Sequence, residues 1–164
     1  IESDEELSFQ SLNMIDVIAN AIDTVWDQAK SKTINITQQL PDAAWLLGNA
    51  SILARVVINL LSNAIKYGGY GCEIVIKLTI HDTTISCCVN DNGPGISQEQ
   101  LPHLFDRFKR VNPESTNISG IGLGLAFVHA AIEKHQGKID VSSELIKGTT
   151  FCLHLPAEST LYHT

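Results

Sequence analysis

The residues best suited to chemistry lie in Asn90-Asp91-Asn92-Gly93-Pro94-Gly95-Ile96, where one carboxylate is followed by two glycines. The preceding run, Ile85-Ser86-Cys87-Cys88-Val89, is rich in β-formers, and Gly-Pro-Gly can neither prolong a strand nor begin a regular helix. Asp91 therefore falls at the end of a strand. A carboxylate placed there accepts from an amino group, while the glycines let a flat ring approach the backbone. Taken alone, the stretch also reads as a solvated turn, because Asp, Asn, Gly and Pro are the ordinary turn residues.

A second set of polar groups comes from residues 50–67. Leu53, Val56, Val57, Leu60, Leu61, Ala64 and Ile65 make a broad apolar surface, as in a helix buried over much of its circumference. Arg55, Asn59, Ser62, Asn63 and Lys66 fall on one stripe of that helix. Unpaired buried polar groups cost about 1–3 kcal/mol each. The amides of Asn59 and Asn63 must then either bond to neighbouring backbone or line a polar ligand. The third set is Gly120-Ile121-Gly122-Leu123-Gly124-Leu125, which follows a polar stretch and opens a helix. Glycines at a helix start present N–H groups and the positive end of the helix dipole, where phosphates bind. The pattern is not the dinucleotide GxGxxG, and the sequence has no GxxxxGK[ST]. Near the C-terminus, Thr149 and Thr150 bring two hydroxyls to the end of a strand.

The elements that hold these groups follow from periodicity. Met14, Val17, Ile18, Ala21, Ile22 and Val25 predict an amphipathic helix from Met14 to about Lys30. Strands are expected at 32–39, 44–47, 72–80, 84–90, 139–143 and 149–155. Ser97 with Gln100 has capping-box spacing and predicts a short helix. Val111 to Ser119 lacks periodicity and reads as a mobile loop, and the helix after the third glycine set runs to Gln136, with Gly137 as its C-cap. Residues 1–9 read as a frayed acidic lead-in, 10–156 as one domain and 157–164 as a loose tail.

The net charge of −7 over 164 residues disfavours non-specific binding to nucleic acid or to an anionic membrane. A polyanionic ligand then needs a local cationic site or a metal. Cys72, Cys87, Cys88 and Cys152 form no CxxC pair and read as reduced residues of a cytoplasmic domain. No apolar run is long enough to span a membrane. The chain opens on Ile, as expected of a piece of something longer.

A carboxylate loop, a polar helical stripe and a glycine-rich helix start, separated by a lid-like loop, describe a nucleotide site without a P-loop. Four stretches carry a resemblance that makes this specific. Asn59-Leu-Leu-Ser-Asn63-Ala-Ile-Lys66-Tyr67, Asp91-Asn-Gly93-Pro-Gly95-Ile96, Leu104-Phe105-Asp-Arg107-Phe108 and Gly120-Ile-Gly122-Leu-Gly124-Leu125 resemble the N box, first glycine box, F box and second glycine box of bacterial sensor histidine kinases, in order and in spacing. The resemblance covers residues 10–156. It implies an α/β two-layer sandwich: a mixed sheet covered on one face by about three helices, with a Bergerat-type ATP site under a mobile lid.

The resemblance also implies roles. Asp91 would accept from the adenine amino group, with Tyr67 and Ile96 packing near the base. Asn59 and Asn63 would hold Mg²⁺ with ATP. Lys66 and Arg110 would meet phosphate charge, with Asn59, Lys66 and Arg110 as the catalytic set. Backbone at Gly93, Gly95, Gly120, Gly122, Leu123, Gly124 and Leu125, and the Thr149 and Thr150 hydroxyls, complete the ATP-binding set. Phe105 and Phe108 would anchor the lid. Related chaperone, gyrase and mismatch-repair ATPases carry Glu where Asn59 stands, and Asn cannot take a proton from water, so phosphoryl transfer is favoured over hydrolysis.

The helical His-Glu-Leu-Arg-Thr-Pro type of segment that these kinases phosphorylate is absent, so autophosphorylation is not expected of this chain alone. The implied partners are a dimerisation and phosphoacceptor helical domain and a response regulator receiver domain. No nucleic acid and no direct membrane contact are expected, although the parent protein could itself be membrane-anchored. A serine kinase of the same fold, as in anti-sigma factors, and a nucleotide-binding signalling module without transfer are the alternatives. Gly68-Gly69 and Gly48-Asn49 depart from the family's commoner Thr-Pro or Ser-Pro and Gly-Asp.

Overall fold

The computed structural model describes residues 8–102 and 121–158, with side chains of the second stretch from residue 124 onward. The Arg107 to Phe108 region, Phe105, Arg110, the 111–119 loop and Gly120 lie outside the described residues.

Helix α1 (Met14–Ser31) buries the apolar face expected from its spacing, from Met14 through Val17, Ile18, Ala21, Ile22 and Val25 to Ala29. Asn13 starts it, its Oδ1 accepting from Ile15 N–H at 3.2 Å and from Ala44 N–H at 2.9 Å. One side chain thus caps the helix and ties it to the next strand. Helix α2 (Ala50–Gly68) is capped by Asn49, whose Oδ1 accepts from Ile52 N–H at 2.9 Å. At its other end Lys32 Nζ donates to the Ile65 carbonyl at 2.8 Å, an ammonium on carbonyls that the last turn leaves without partners. The sequence places Lys32 at the start of a strand. It sits instead in the turn after α1, and β2 runs from Asn35 to Gln39.

A two-stranded antiparallel ribbon pairs β1 (Gln10–Asn13) with β3 (Trp45–Gly48). The main sheet has five strands in the order β2, β4 (Glu73–His81), β5 (Thr84–Asp91), β7 (Gly148–Pro156), β6 (Lys138–Glu144). Only β2 with β4 is parallel; the other pairs are antiparallel. Burial alternates strictly along β5, with Ile85, Cys87, Val89 and Asp91 buried and their neighbours half-exposed. The buried face meets α1, α2 and α3 (Ile121–Lys134) in one core that joins Ile18, Leu60, Ile65, Ile76, Val89, Val128 and Leu153. This is the two-layer sandwich of three helices on a mixed sheet expected from the sequence. After Ser97, the N–H of Gln100 donates to the Ser97 hydroxyl at 3.2 Å, and helical backbone begins at Leu101.

The cysteines correct the sequence reading. Cys88 and Cys152 face each other across β5 and β7, Cα atoms 4.1 Å apart, and are joined in a disulfide on the face away from the helices. Cys72 and Cys87 are free and buried, and burial pushes the Cys87 thiol up to about 12. The bonded residues are 64 positions apart, so only strand register, not local spacing, brings them together. The tail begins later than expected, since Ala157 N–H donates to Thr83 O at 2.7 Å and Glu158 N–H to Trp45 O at 2.9 Å.

Candidate functional site

Asp91 is the last residue of β5, paired with Ile74 on one side and Thr149 on the other, and its side chain turns to the helix-covered face. The residue is only 7% exposed. Its carboxylate accepts from Gly93 N–H at 2.9 Å and from Thr149 N–H. Burial raises its pKa above the usual carboxylate value, and the two N–H groups offset part of that rise. Two bonds leave acceptor capacity on a carboxylate, which has about four lone-pair sites.

The loop that follows is pressed between α2 and the β6–β7 turn. A side chain at Gly93 would meet Gly68 Cα and O at 2.6 Å. Gly95 has φ +79, and a Cβ there would run into the Glu144 carbonyl, so only glycine lets the loop close on this turn. Ile96 is half-buried, its N–H held by Ser143 Oγ at 2.7 Å. Gly68, at the end of α2, lies with its Cβ position 3.6 Å from Asp91 Cβ. The carboxylate therefore sits against the C-terminal end of the helix that carries the polar stripe.

Along that stripe Asn59, Ser62 and Asn63 are half-buried and Lys66 is exposed. Asn63 Nδ2 is buried and has no hydrogen-bond partner among the described residues, a donor left free for a ligand. Tyr67 is 38% exposed, with Lys66 Nζ 5.4 Å from its ring centre. Near the other end of the stripe, the Gly124 Cβ position is 4.0 Å from Asn59 Cγ, so the first turn of α3 passes beside Asn59. Arg55 stacks its guanidinium 3.9 Å from the Phe127 ring centre, which fastens α2 to α3 and takes Arg55 off the list of ligand groups. Gly122 and Leu123 lie within α3 rather than ahead of it, because the helix begins at Ile121.

One expected residue falls elsewhere. Thr150 is on the opposite face of β7 from Thr149, its hydroxyl accepting from Asn90 Nδ2 at 2.7 Å, because successive strand residues alternate faces. Leu125 buries its side chain in the core while its main chain continues the first turns of α3. Phe105, Phe108, Arg110 and Gly120 lie outside the described residues. Residues that the sequence did not single out also shape the site. Asn92 Oδ1 accepts from Glu73 N–H at 2.7 Å, and Gln98 Nε2 donates to Ser143 O at 2.8 Å. Ser143 carried one signal: a polar side chain at the inward parity set by Val141.

At the far end of the sheet a groove of about 240 Å³ is lined by Phe9, Leu46, Leu47, His135 and Leu155. It contains none of the expected site residues. His135 there is buried, its Nδ1–H donating to Ala131 O at 2.8 Å and its Nε2 accepting from Asn49 N–H at 3.1 Å. Burial lowers its pKa, in keeping with a neutral packing histidine. No helix among the described residues is long and apolar enough to cross a membrane.

Comparison with known proteins agrees with this geometry. Residues 48–159 match the family described as histidine kinase-, DNA gyrase B- and HSP90-like ATPase. The sensor histidine kinase RppB of Synechocystis is 37% identical over 145 residues, which cover 86% of this chain and 32% of RppB. This chain thus spans about a third of the length of that curated relative. The solved mycobacterial sensor histidine kinase MprB superposes with a TM-score of 0.76 at 28% identity, over 92% of this chain and 98% of that one. Histidine kinase ThkA, solved in complex with response regulator protein TrrA, shares the fold with a TM-score of 0.77 at 22% identity, over 93% of this chain and 42% of ThkA. The chain belongs to the histidine kinase-, DNA gyrase B- and HSP90-like ATPases, and within them it is similar to one region of sensor histidine kinases.

Proposed function

We propose that residues 10–156 bind Mg-ATP along α2, between the Asp91 loop and the start of α3, and donate its γ-phosphoryl to a histidine on a dimerisation helix of the parent protein. The observation that carries this reading is the layout of α2. Its C-terminal end abuts a nearly buried carboxylate and its middle, at Asn59, passes a glycine-bearing helix start, with the Asn63 amide between them. Nine residues separate Gly68 from Asn59, which at a rise of about 1.5 Å per residue is about 14 Å, a span suited to a nucleoside triphosphate.

At the base end, Asp91 accepts from the adenine amino group. Guanine offers a carbonyl at that position, so two acceptors would face each other and GTP is disfavoured. Ile96 and Tyr67 pack beside the ring, with the backbone of Gly93 and Gly95 at its edge. At the phosphate end the N–H groups of Gly122, Leu123 and Gly124 lie in the first turn of α3, at the positive end of its dipole; Gly120 is assigned to the same phosphate set, and Lys66 and Arg110 add charge. The Oδ1 atoms of Asn59 and Asn63 are hard oxygen donors that would suit Mg²⁺, while the unpartnered Nδ2 of Asn63 can donate to a phosphate oxygen. When bound, Mg²⁺ neutralises phosphate charge. Phe105 and Phe108 hold the lid.

Asn59 cannot accept a proton from water, so the chain presents the γ-phosphoryl to an external nucleophile rather than to solvent. The acceptor imidazole forms the new P–N bond as the bond to the leaving ADP oxygen breaks. A response regulator aspartate then receives the phosphoryl group, a partnership supported by the ThkA complex with TrrA. ATP supply puts the domain in the cytoplasm, where the Cys88–Cys152 disulfide meets a reducing environment.

Calorimetric titration with ATP and ADP, with and without Mg²⁺, tests the binding step. Saturable ATP binding that responds to Mg²⁺ is expected, followed by phosphorylation of a separately supplied phosphoacceptor-helix protein. Absence of saturable binding at millimolar nucleotide would sink the reading.

A further inference from the structure

We infer that Ser143 is a positioning residue for base recognition, its single hydroxyl locking together the two backbone segments that flank Asp91 and so setting nucleotide affinity and base preference. The inference rests on the nucleotide reading above.

Ser143 is buried on the edge strand β6, on the inward side that Val141 also occupies. A purely packing position beside Val141 calls for an apolar side chain, yet this one makes three polar contacts. Its Oγ accepts from Ile96 N–H at 2.7 Å, donates to Gly148 O at 3.1 Å and lies 2.8 Å from Thr149 Oγ1. A hydroxyl has one proton and two lone pairs. With the proton on Gly148 O, Thr149 Oγ1–H must donate to Ser143, and all three positions on the serine oxygen are used.

Each partner leads to the carboxylate. Thr149 stands opposite Asp91 in the β5–β7 register, and its N–H donates to the Asp91 carboxylate. Ile96 closes the Gly93–Ile96 loop that covers Asp91 on the other side, and the same loop is held by Ile146 N–H donating to Pro94 O at 2.8 Å. The Ser143 main chain joins in, its carbonyl accepting from Gln98 Nε2. Removing the hydroxyl leaves Ile96 N–H without its partner and frees Thr149 to rotate. The base-packing residue Ile96 then loses its fixed place beside Asp91, while the phosphate end along Asn59 and Gly124 is untouched.

The test compares wild type, Ser143→Ala and Ser143→Thr by titration with ATP and GTP, alongside amide exchange at Ile96 without nucleotide. For Ser143→Ala, ATP affinity is expected to fall about tenfold, the size of effect of losing one such bond. The ATP-over-GTP preference should narrow and the Ile96 amide should exchange faster, with Val89 in the core unchanged. Ser143→Thr keeps the hydroxyl and should restore all three. A Ser143→Ala chain with wild-type affinity and base preference would overturn the inference. So would an equal loss for ATP and GTP, which marks a general structural role. A wild type that binds no nucleotide overturns the nucleotide reading and this inference with it, and is told apart from the other failures by the wild-type titration itself.

Discussion

Strands β5 and β7 present two surfaces on one pair of backbones. On the helix side stand Asp91 and Thr149; one residue back, on the open side, stand Asn90 and Thr150. The open side is self-sufficient. Asn90 donates to Thr150, Ser86 Oγ donates to His154 Nδ1 at 2.8 Å, His154 Nε2–H donates to Asp140 at 2.7 Å, and Cys88 is bonded to Cys152. The helix side is not. Asp91 is buried at an electrostatic cost, and nearby on α2 Asn63 Nδ2 has no partner among the described residues. Chains of polar residues that satisfy one another stabilise a fold, whereas polar groups buried with spare capacity are held ready for something else. The Ser86-His154-Asp140 chain on the open sheet face belongs to the first kind.

The contrast predicts that variants on the open side change stability alone and those on the helix side weaken binding without lowering stability. The largest effect is expected from the disulfide. Cys152→Ser, or reduction by a dithiol, releases a link across 64 residues and should lower unfolding free energy by about 2–4 kcal/mol in denaturant titration. Nucleotide affinity should stay within about twofold of wild type, since a single hydrogen bond alone is worth more. A loss of affinity in step with stability would break the division between the faces.

Next comes Asp91→Asn, which removes the charged acceptor and adds a donor facing the adenine amino group. Charge-assisted bonds contribute about 1.5–3 kcal/mol, so ATP affinity should fall roughly 10- to 150-fold. Stability of the nucleotide-free chain should not fall with it, because the buried charge is removed too. Asn90→Ala, one residue earlier, should leave affinity unchanged. Calorimetry and thermal unfolding on the same samples separate these outcomes.

The helix side of this comparison was far more legible in the sequence than the open side. Asp91 with its glycines, and Asn59 with Asn63, declare themselves because local spacing fixes the strand end and the helical stripe. Among the described residues all three long helices and six of the seven strands follow likewise from period. The open face depends on register between strands distant in sequence, and nothing in Cys88 or Cys152 alone identifies the other. Thr150 was misassigned for a related reason: two adjacent threonines look equivalent in sequence, but a strand sends them to opposite faces. β1 was missed because four residues without alternation become a strand only through β3. Ser143 needed three partners from two other segments before its hydroxyl had a meaning.

A smaller effect is expected at the polar chain on the open side. Ser86→Ala removes one donor to His154 and should cost about 0.5–1.5 kcal/mol of stability, with ATP affinity unaltered. His154→Phe removes both bonds and leaves Asp140, already largely exposed, to water. If either change weakened ATP binding more than Asn90→Ala, the open face would be coupled to the site through β7.

The smallest effect is a pH dependence carried by Asp91 on the helix side. In the unfolded chain Asp91 ionises near 3.8, whereas burial in the folded chain raises that value. Between the two, the unfolded state has released its proton and the folded state still holds it, so folding weakens as pH rises through the folded pKa. The contribution is fully present below 3.8 and gone above the folded value. Asn at this position does not titrate. The melting temperature of Asp91→Asn should therefore gain on that of wild type as pH climbs out of this window and then hold level towards neutrality. ATP should remove the difference in the opposite sense, since adenine binds the ionised carboxylate and lowers its pKa, restoring to wild type the stability that the empty site withholds.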